Sequence, residues 1–170
     1  VFTSANGVTR NRLAAFNASD GALTAWNPDA NANVNALVIT PDGSLVIAGG
    51  AFQNVGGQPE YGLAALDAAT GAVRPWAANQ TVRDAGTKAA IESLSTDGNA
   101  IYGTGYVFGP GGNLEGTFSA VPNSGAINWI EDCHGDTYDA FGMGGVVYSV
   151  SHSHLCSNVG SFPQTSPWTY

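Results

Sequence analysis

Residues 2–26 recur without a gap as residues 52–76, and this repeat restricts the folds open to the chain more than any other feature. The offset is a constant 50 residues. Phe2 meets Phe52, Gly7 meets Gly57, Leu13-Ala14-Ala15 meet Leu63-Ala64-Ala65, Gly21 meets Gly71 and Trp26 meets Trp76. A fixed period of this size marks a stacked or radial architecture, because one unit cannot bury its apolar faces alone.

Each copy carries four apolar runs divided by turn signals. In the first they cover 12–17, 22–26, 34–40 and 45–50; in the second, 62–67, 72–76, 90–95 and 100–105. A third, degraded copy has runs at 117–121, 126–130 and, after an irregular stretch, 146–151. The unbroken Leu45-Val46-Ile47 predicts a strand covered on both faces. Pro41-Asp42-Gly43 predicts a turn in which Pro presets φ, Asp bonds its own backbone and Gly accepts positive φ. Asp97-Gly98 holds the matching place. No segment has a sustained 3.6-residue apolar stripe, so almost no helix is expected.

Four short strands in about 50 residues is the pattern of a β-propeller blade, and the fold class expected is all-β with four-stranded antiparallel blades. Residues 1–170 read as one partial propeller domain. Its units run at about 1–50, 51–105 and 106–151, with the start of a fourth at 152–170. A ring closes with about four to eight blades, so the expected partners are the remaining blades or another copy of the chain.

Composition bounds the function. Charged residues make up only 11% of the chain, against roughly 25% in ordinary globular proteins, while 23 glycines mark many tight turns. This is the composition of a β-rich extracellular protein. Residues 1–88 hold all five cations (Arg10, Arg12, Arg74, Arg83, Lys88), whereas residues 89–170 have none beside Glu92, Asp97, Glu115, Glu131, Asp132, Asp136 and Asp139. With a net charge of −8 and no basic surface in this half, nucleic acid and anionic membrane are poor partners. No apolar run is long enough to insert in a membrane. The expected location is secreted, with the chain a piece of a longer exported precursor.

The cores NRLAAFNASDGALTAW, SLVIAGGAFQNVGG and GLAALDAATGAVRPW resemble the repeat β-propellers of secreted actinobacterial proteins, which often stand beside PKD-type modules. The stretches EDCHGDTYDAF and HSHLCSNVGSFPQTSPW are similar to the later part of those propellers. The resemblance implies export and a binding or adhesive role without an established reaction.

Trp26, Trp76 and Trp129 each follow a turn glycine. Recurrence in every unit favours wedges between blades over stacking platforms for sugars, since interfaces recur and ligand sites do not. Cys133 and Cys156, an even pair in an exported chain, are expected to form a disulfide; the Cys-x-x-Cys spacing of zinc sites is absent. Around them gather His134, His152 and His154. If that segment is extended, His152 and His154 share a face. With Asp136 they make a candidate ligand set for Zn²⁺ or Ca²⁺, against the simpler reading of polar surface and no cofactor. Asp136, Asp139, His152 and His154 are the candidate ligand-binding residues, because the insert departs from the repeat and departures are where function tends to lie.

Enzymatic signals are thin. Asp132, Asp136 and Asp139 would serve a glycosidase only if two faced one cleft, and no nucleophile elbow is present. The function expected is non-catalytic binding of a glycan or protein at the cell surface or matrix. A metal- or carboxylate-dependent enzyme near the Cys133–Cys156 loop and a purely structural piece of a ring are the alternatives. Asn17 and Asn79 each open a glycosylation sequon.

Overall fold

The computed structural model describes residues 1–156. The fourth unit expected over 152–170 lies, from residue 157 on, outside the described residues. The chain is all-β. A short hairpin, β1 (Ser4–Ala5) and β2 (Val8–Thr9), precedes β3 (Val34–Ile39) and β4 (Leu45–Gly50). A second hairpin, β5 (Asn54–Val55) and β6 (Gln58–Pro59), leads to β7 (Leu63–Asp67) and β8 (Val73–Arg74). One helical turn, α1 (Ala78–Thr81), then enters β9 (Ala89–Thr96), β10 (Ile101–Val107), β11 (Gly116–Ala120) and β12 (Ile127–Asp132). The last pair is β13 (Thr137–Met143) and β14 (Val146–Ser151).

The strands form two four-stranded antiparallel sheets, β3-β4-β7-β8 and β9-β10-β11-β12, and three two-stranded ones. Each four-stranded sheet takes its first two strands from the end of one sequence copy and its last two from the start of the next. The sheet and the sequence unit therefore share a period but not a phase. The physical reason is that 45–50 and 63–67 pair in register, Leu45 opposite Asp67 and Gly49 opposite Leu63, while β5 and β6 stand out between them as a separate hairpin.

Turns behave as their chemistry predicts. Asp42 Oδ1 accepts from the Ser44 amide at 3.1 Å and the Thr40 hydroxyl at 2.7 Å, with Gly43 at φ +73°. Asp97 Oδ1 accepts from the amides of Asn99 and Ala100 at 2.8 and 2.9 Å. These hydrogen bonds, made to the ionised form, hold both carboxyls below the ordinary carboxylate range.

The sheet β3-β4-β7-β8 is covered on both faces, and β7 shows how. Leu63 and Ala65 face one cluster with Ile47, Trp76, Ile91, Ile101 and Phe118. Their neighbours Ala64 and Leu66 face the other, with Leu13, Trp26, Ala30, Phe52 and Val55. Strand alternation thus gives one short segment two buried faces. Successive first strands lie side by side: β3 packs on β9 and β9 on β13. The Asn35 side-chain amide donates to the Ile91 carbonyl at 3.0 Å, and the Ser95 hydroxyl to that of Ala140 at 2.6 Å.

Trp26 and Trp76 fill the gaps between neighbouring units. Both are buried, and each indole N–H reaches a carbonyl at a turn of the next unit, Trp26 to Asp67 at 3.1 Å and Trp76 to Pro122 at 2.8 Å. Trp129 does not repeat this. It lies within β12, one position nearer its turn glycine than the other two, is 39% exposed, and tilts against Tyr102 with ring centroids 6.2 Å apart. A shift of one residue turns a side chain to the other face of a strand.

Candidate functional site

Among the described residues two places have the chemistry to hold a ligand. The first is the insert singled out by the sequence. Cys133 and Cys156 are joined, S–S 2.07 Å, and both are buried. The bridge fixes two short segments against each other. The Cys133 carbonyl accepts from the amides of His154 and Leu155 at 3.0 Å each, and the Asp136 carbonyl from that of His152 at 3.1 Å. Gly135 permits the close approach, since a Cβ there would lie 2.8 Å from the His154 ring.

This clamp brings Asp136, His152 and His154 together. The rings of His152 and His154 meet edge-on with centroids 5.2 Å apart. His152 Nδ1 is 3.9 Å from Asp136 Oδ2 and 3.0 Å from the Tyr138 hydroxyl. Asp136 Oδ1 is buried and has no hydrogen-bond partner. From the neighbouring sheet, burial and then the charge of Asp136 raise the Glu92 carboxyl above its ordinary value. Tyr106 is raised as well, by burial first and then by the Glu92 and Asp136 charges. The pocket beside the bridge is small, about 140 Å³, and is lined by Glu131, Thr137, Ser149, Ser151 and Ser153 among others.

The remaining expected residues stand apart from this cluster in role. His134 is exposed in a turn with φ +48°. Asp139 is exposed on β13 and its Oδ1 accepts from the Ala140 amide at 3.0 Å. Asp132 Oδ1 accepts from the Glu115 amide at 3.2 Å, so Asp132 and Asp139 each bond a backbone amide. His152 comes near Asp136, but no three of His134, Asp136, His152 and His154 bring ligand atoms within 4.8 Å of one another. Among the described residues the one metal-type grouping within 4.8 Å is Glu131 with Cys133 and Cys156, whose sulfurs are bonded to each other.

The second place was not anticipated. An open pocket of about 840 Å³ lies between the β5–β6 hairpin, the β7–β8 turn and α1. Its walls carry Asn27, Gln58, Glu60, Arg74, Asn79 and Gln80, with Pro28, Pro59, Pro75 and Trp76 as rigid apolar surface. Glu60 and Asn79 are buried, and the Asn79 amide donates to Glu60 Oε2. Burial raises the Glu60 carboxyl to about 7, against a smaller opposing effect of the Arg83 charge. Arg74 is held at the rim by Asp67 at 2.9 Å. The pocket draws on residues from 27 to 124, so no single stretch of sequence displays it. The one available signal was the charge reversal at the aligned positions Arg10 and Glu60, both buried.

Comparison of the chain with protein-family models, with curated proteins and with solved structures gives no match. The formed disulfide indicates an oxidising environment. Among the described residues no helix is long and apolar enough to cross a membrane.

Proposed function

We propose that the chain is part of a secreted β-propeller that binds a glycan without transforming it, and that the pocket around Glu60 and Asn79 is where the sugar sits. The observation that carries this reading is the wall of that pocket. Amides of Asn27, Gln58 and Gln80 and the rim guanidinium of Arg74 surround an open volume of about 840 Å³. The Glu60–Asn79 pair is fixed behind them. Side-chain amides and a carboxyl offer donors and acceptors together, which suits the hydroxyls of a neutral sugar better than an ion or an apolar ligand. The three prolines give the pocket stiffness, which lowers the ordering cost of binding.

The propeller part of the reading is supported by the row of first strands β3, β9 and β13 and by the two indoles that each bond the next unit. The missing part of the ring is then supplied by further blades or a second copy. A second reading puts a protein ligand at Asp136, His152 and His154, favoured by the unpartnered Asp136 Oδ1.

Calorimetric titration with a panel of neutral oligosaccharides separates the two. Gln58→Ala with Gln80→Ala, both exposed positions, should weaken the best-binding sugar at least tenfold and leave the melting temperature in place. If His152→Ala weakens it instead and the glutamine pair does not, the pocket is the wrong site. If no sugar binds the folded chain, the glycan reading fails as a whole.

A further inference from the structure

Asp84 lies between α1 and β9 and is fully buried. Its Oδ1 accepts from the backbone amides of Asn113 and Leu114, at 2.7 and 3.0 Å. These bonds tie the entry to β9 onto the connection between β10 and β11. Its Oδ2 is buried too and has no hydrogen-bond partner. Gly105 lies against that oxygen, with two backbone carbonyls on the same side of it. A Cβ placed on Gly105 would run into Asp84 Oδ2 while sitting 3.1 Å from the Leu114 carbonyl and 3.2 Å from the Ala90 carbonyl. Three oxygens therefore gather at one side of Gly105, and none of them donates. A bare buried carboxylate oxygen in such a place loses its solvation with nothing in return unless a proton meets it.

The preceding unit performs the same task with an amide. Asn31 Oδ1 accepts from the amides of Gln53 and Asn54, at 2.9 and 3.0 Å, again two successive residues in the connection between the second and third strands of a sheet, here where the β5–β6 hairpin begins. The other end of that side chain is an NH₂ donor, whereas Asp84 has an oxygen there. Adding one proton to Asp84 makes the two side chains equivalent.

We propose that Asp84 is a pH-sensitive latch, whose Oδ2 keeps a proton in the folded protein and donates it to the Leu114 or Ala90 carbonyl, and whose ionisation as the medium turns from acid to neutral loosens the join between the 82–86 and 111–114 segments. Burial is the main cause that raises this carboxyl, from 3.8 to about 7, against the two amide bonds that lower it. The charged groups facing it are Asp132 at the end of β12 and Glu115 ahead of β11, and both push in the same direction as burial. Arg83, next in the chain, lies over the Tyr61 ring at 4.1 Å. Glu60, on the segment before β7, titrates in the same range, raised to about 7.

Because the folded state holds its proton more tightly than the unfolded chain, the latch adds most stability below the unfolded value of 3.8. That contribution declines as pH rises towards about 7 and is flat above it. The test is the denaturation midpoint of the full chain, read from about pH 5 to pH 8, for the native protein and Asp84→Asn. The native midpoint should fall across this range. Asp84→Asn, which copies Asn31, should lose most of that slope and melt several degrees higher at the alkaline end. Glu60→Gln serves as a control for the other titrating acid and should leave the Asp84 part of the slope in place. An unchanged slope in Asp84→Asn would overturn the latch. So would a midpoint raised by Ca²⁺ in the native protein but not in the variant, which would put a cation in place of the proton. If the variant does not fold, infrared spectra of the native chain with labelled Asp decide. A protonated-carboxyl C=O band that persists at about pH 5.5, above the range of ordinary Asp, and fades through neutral pH supports the latch, and its absence at about pH 5.5 overturns it.

Discussion

Residues 2–26 and 52–76 are copies of one sequence, yet they fold to different extents. Their turns are the same. Asn17 N–H donates to Ala22 O at 2.9 Å and Gly21 N–H to Asn17 O at 2.8 Å; Asp67 with Ala72, and Gly71 with Asp67, repeat both bonds at 2.8 Å. Their strands differ. Leu63–Asp67 forms a ladder with β4 on one side and β8 on the other, whereas the matching 13–17 keeps a single bridge, Phe16 opposite Leu23. Burial follows the ladder. Phe52 and Leu66 are wholly buried, and their counterparts Phe2 and Phe16 are 42% and 51% exposed. Leu13 and Trp26 are buried in both copies' terms, because their side faces the covered sheet. The lesson is that turn chemistry acts locally, while a strand needs a neighbouring strand to pair with, and among the described residues 13–17 has none on its outer side.

The sharpest way to break this comparison is to cut the same side chain from both copies. Phe52→Ala should cost about 3–5 kcal/mol, since it opens a cavity in a closed cluster. Phe2→Ala should stay within about 0.5 kcal/mol. Equal losses in chemical denaturation would mean that the first copy is packed as tightly as the second.

A smaller effect separates the two sequons. Asn17 is exposed at its turn, whereas Asn79 is 5% exposed and donates to Glu60. Expressed in a glycosylating host, the folded chain should carry glycan at Asn17 and none at Asn79 by peptide mass spectrometry. Full occupancy of Asn79 would show that α1 and the Glu60 pocket open during folding long enough to be modified.

Much of the fold is legible in the sequence. The all-β class followed from the repeat, the turn at Pro41-Asp42-Gly43 from local chemistry, and the Cys133–Cys156 bridge from an even pair in a chain read as exported. The phase of the sheets was not legible, because periodicity gives the length of a unit and not where hydrogen bonding divides it. Trp129 looked like a third wedge, but its register one residue nearer the turn exposes it beside Tyr102. At the insert, neighbouring Cys, His and Asp suggested a cluster, and Asp136, His152 and His154 do meet. Where the other side chains turn depends on backbone bonds that composition does not reveal, such as Asp139 to its neighbour Ala140. The Glu60 pocket is assembled from separate segments and had no sequence motif to announce it.

The central claim is that one repeat sequence becomes strand only where a neighbouring strand completes its sheet. Amide hydrogen exchange on the whole chain in dilute solution tests it directly, comparing 13–17 with 63–67. The account predicts that the amides of Leu63–Asp67 exchange only on global unfolding, while those of 13–17 exchange by local opening orders of magnitude faster. Protection of equal strength in both copies would contradict it.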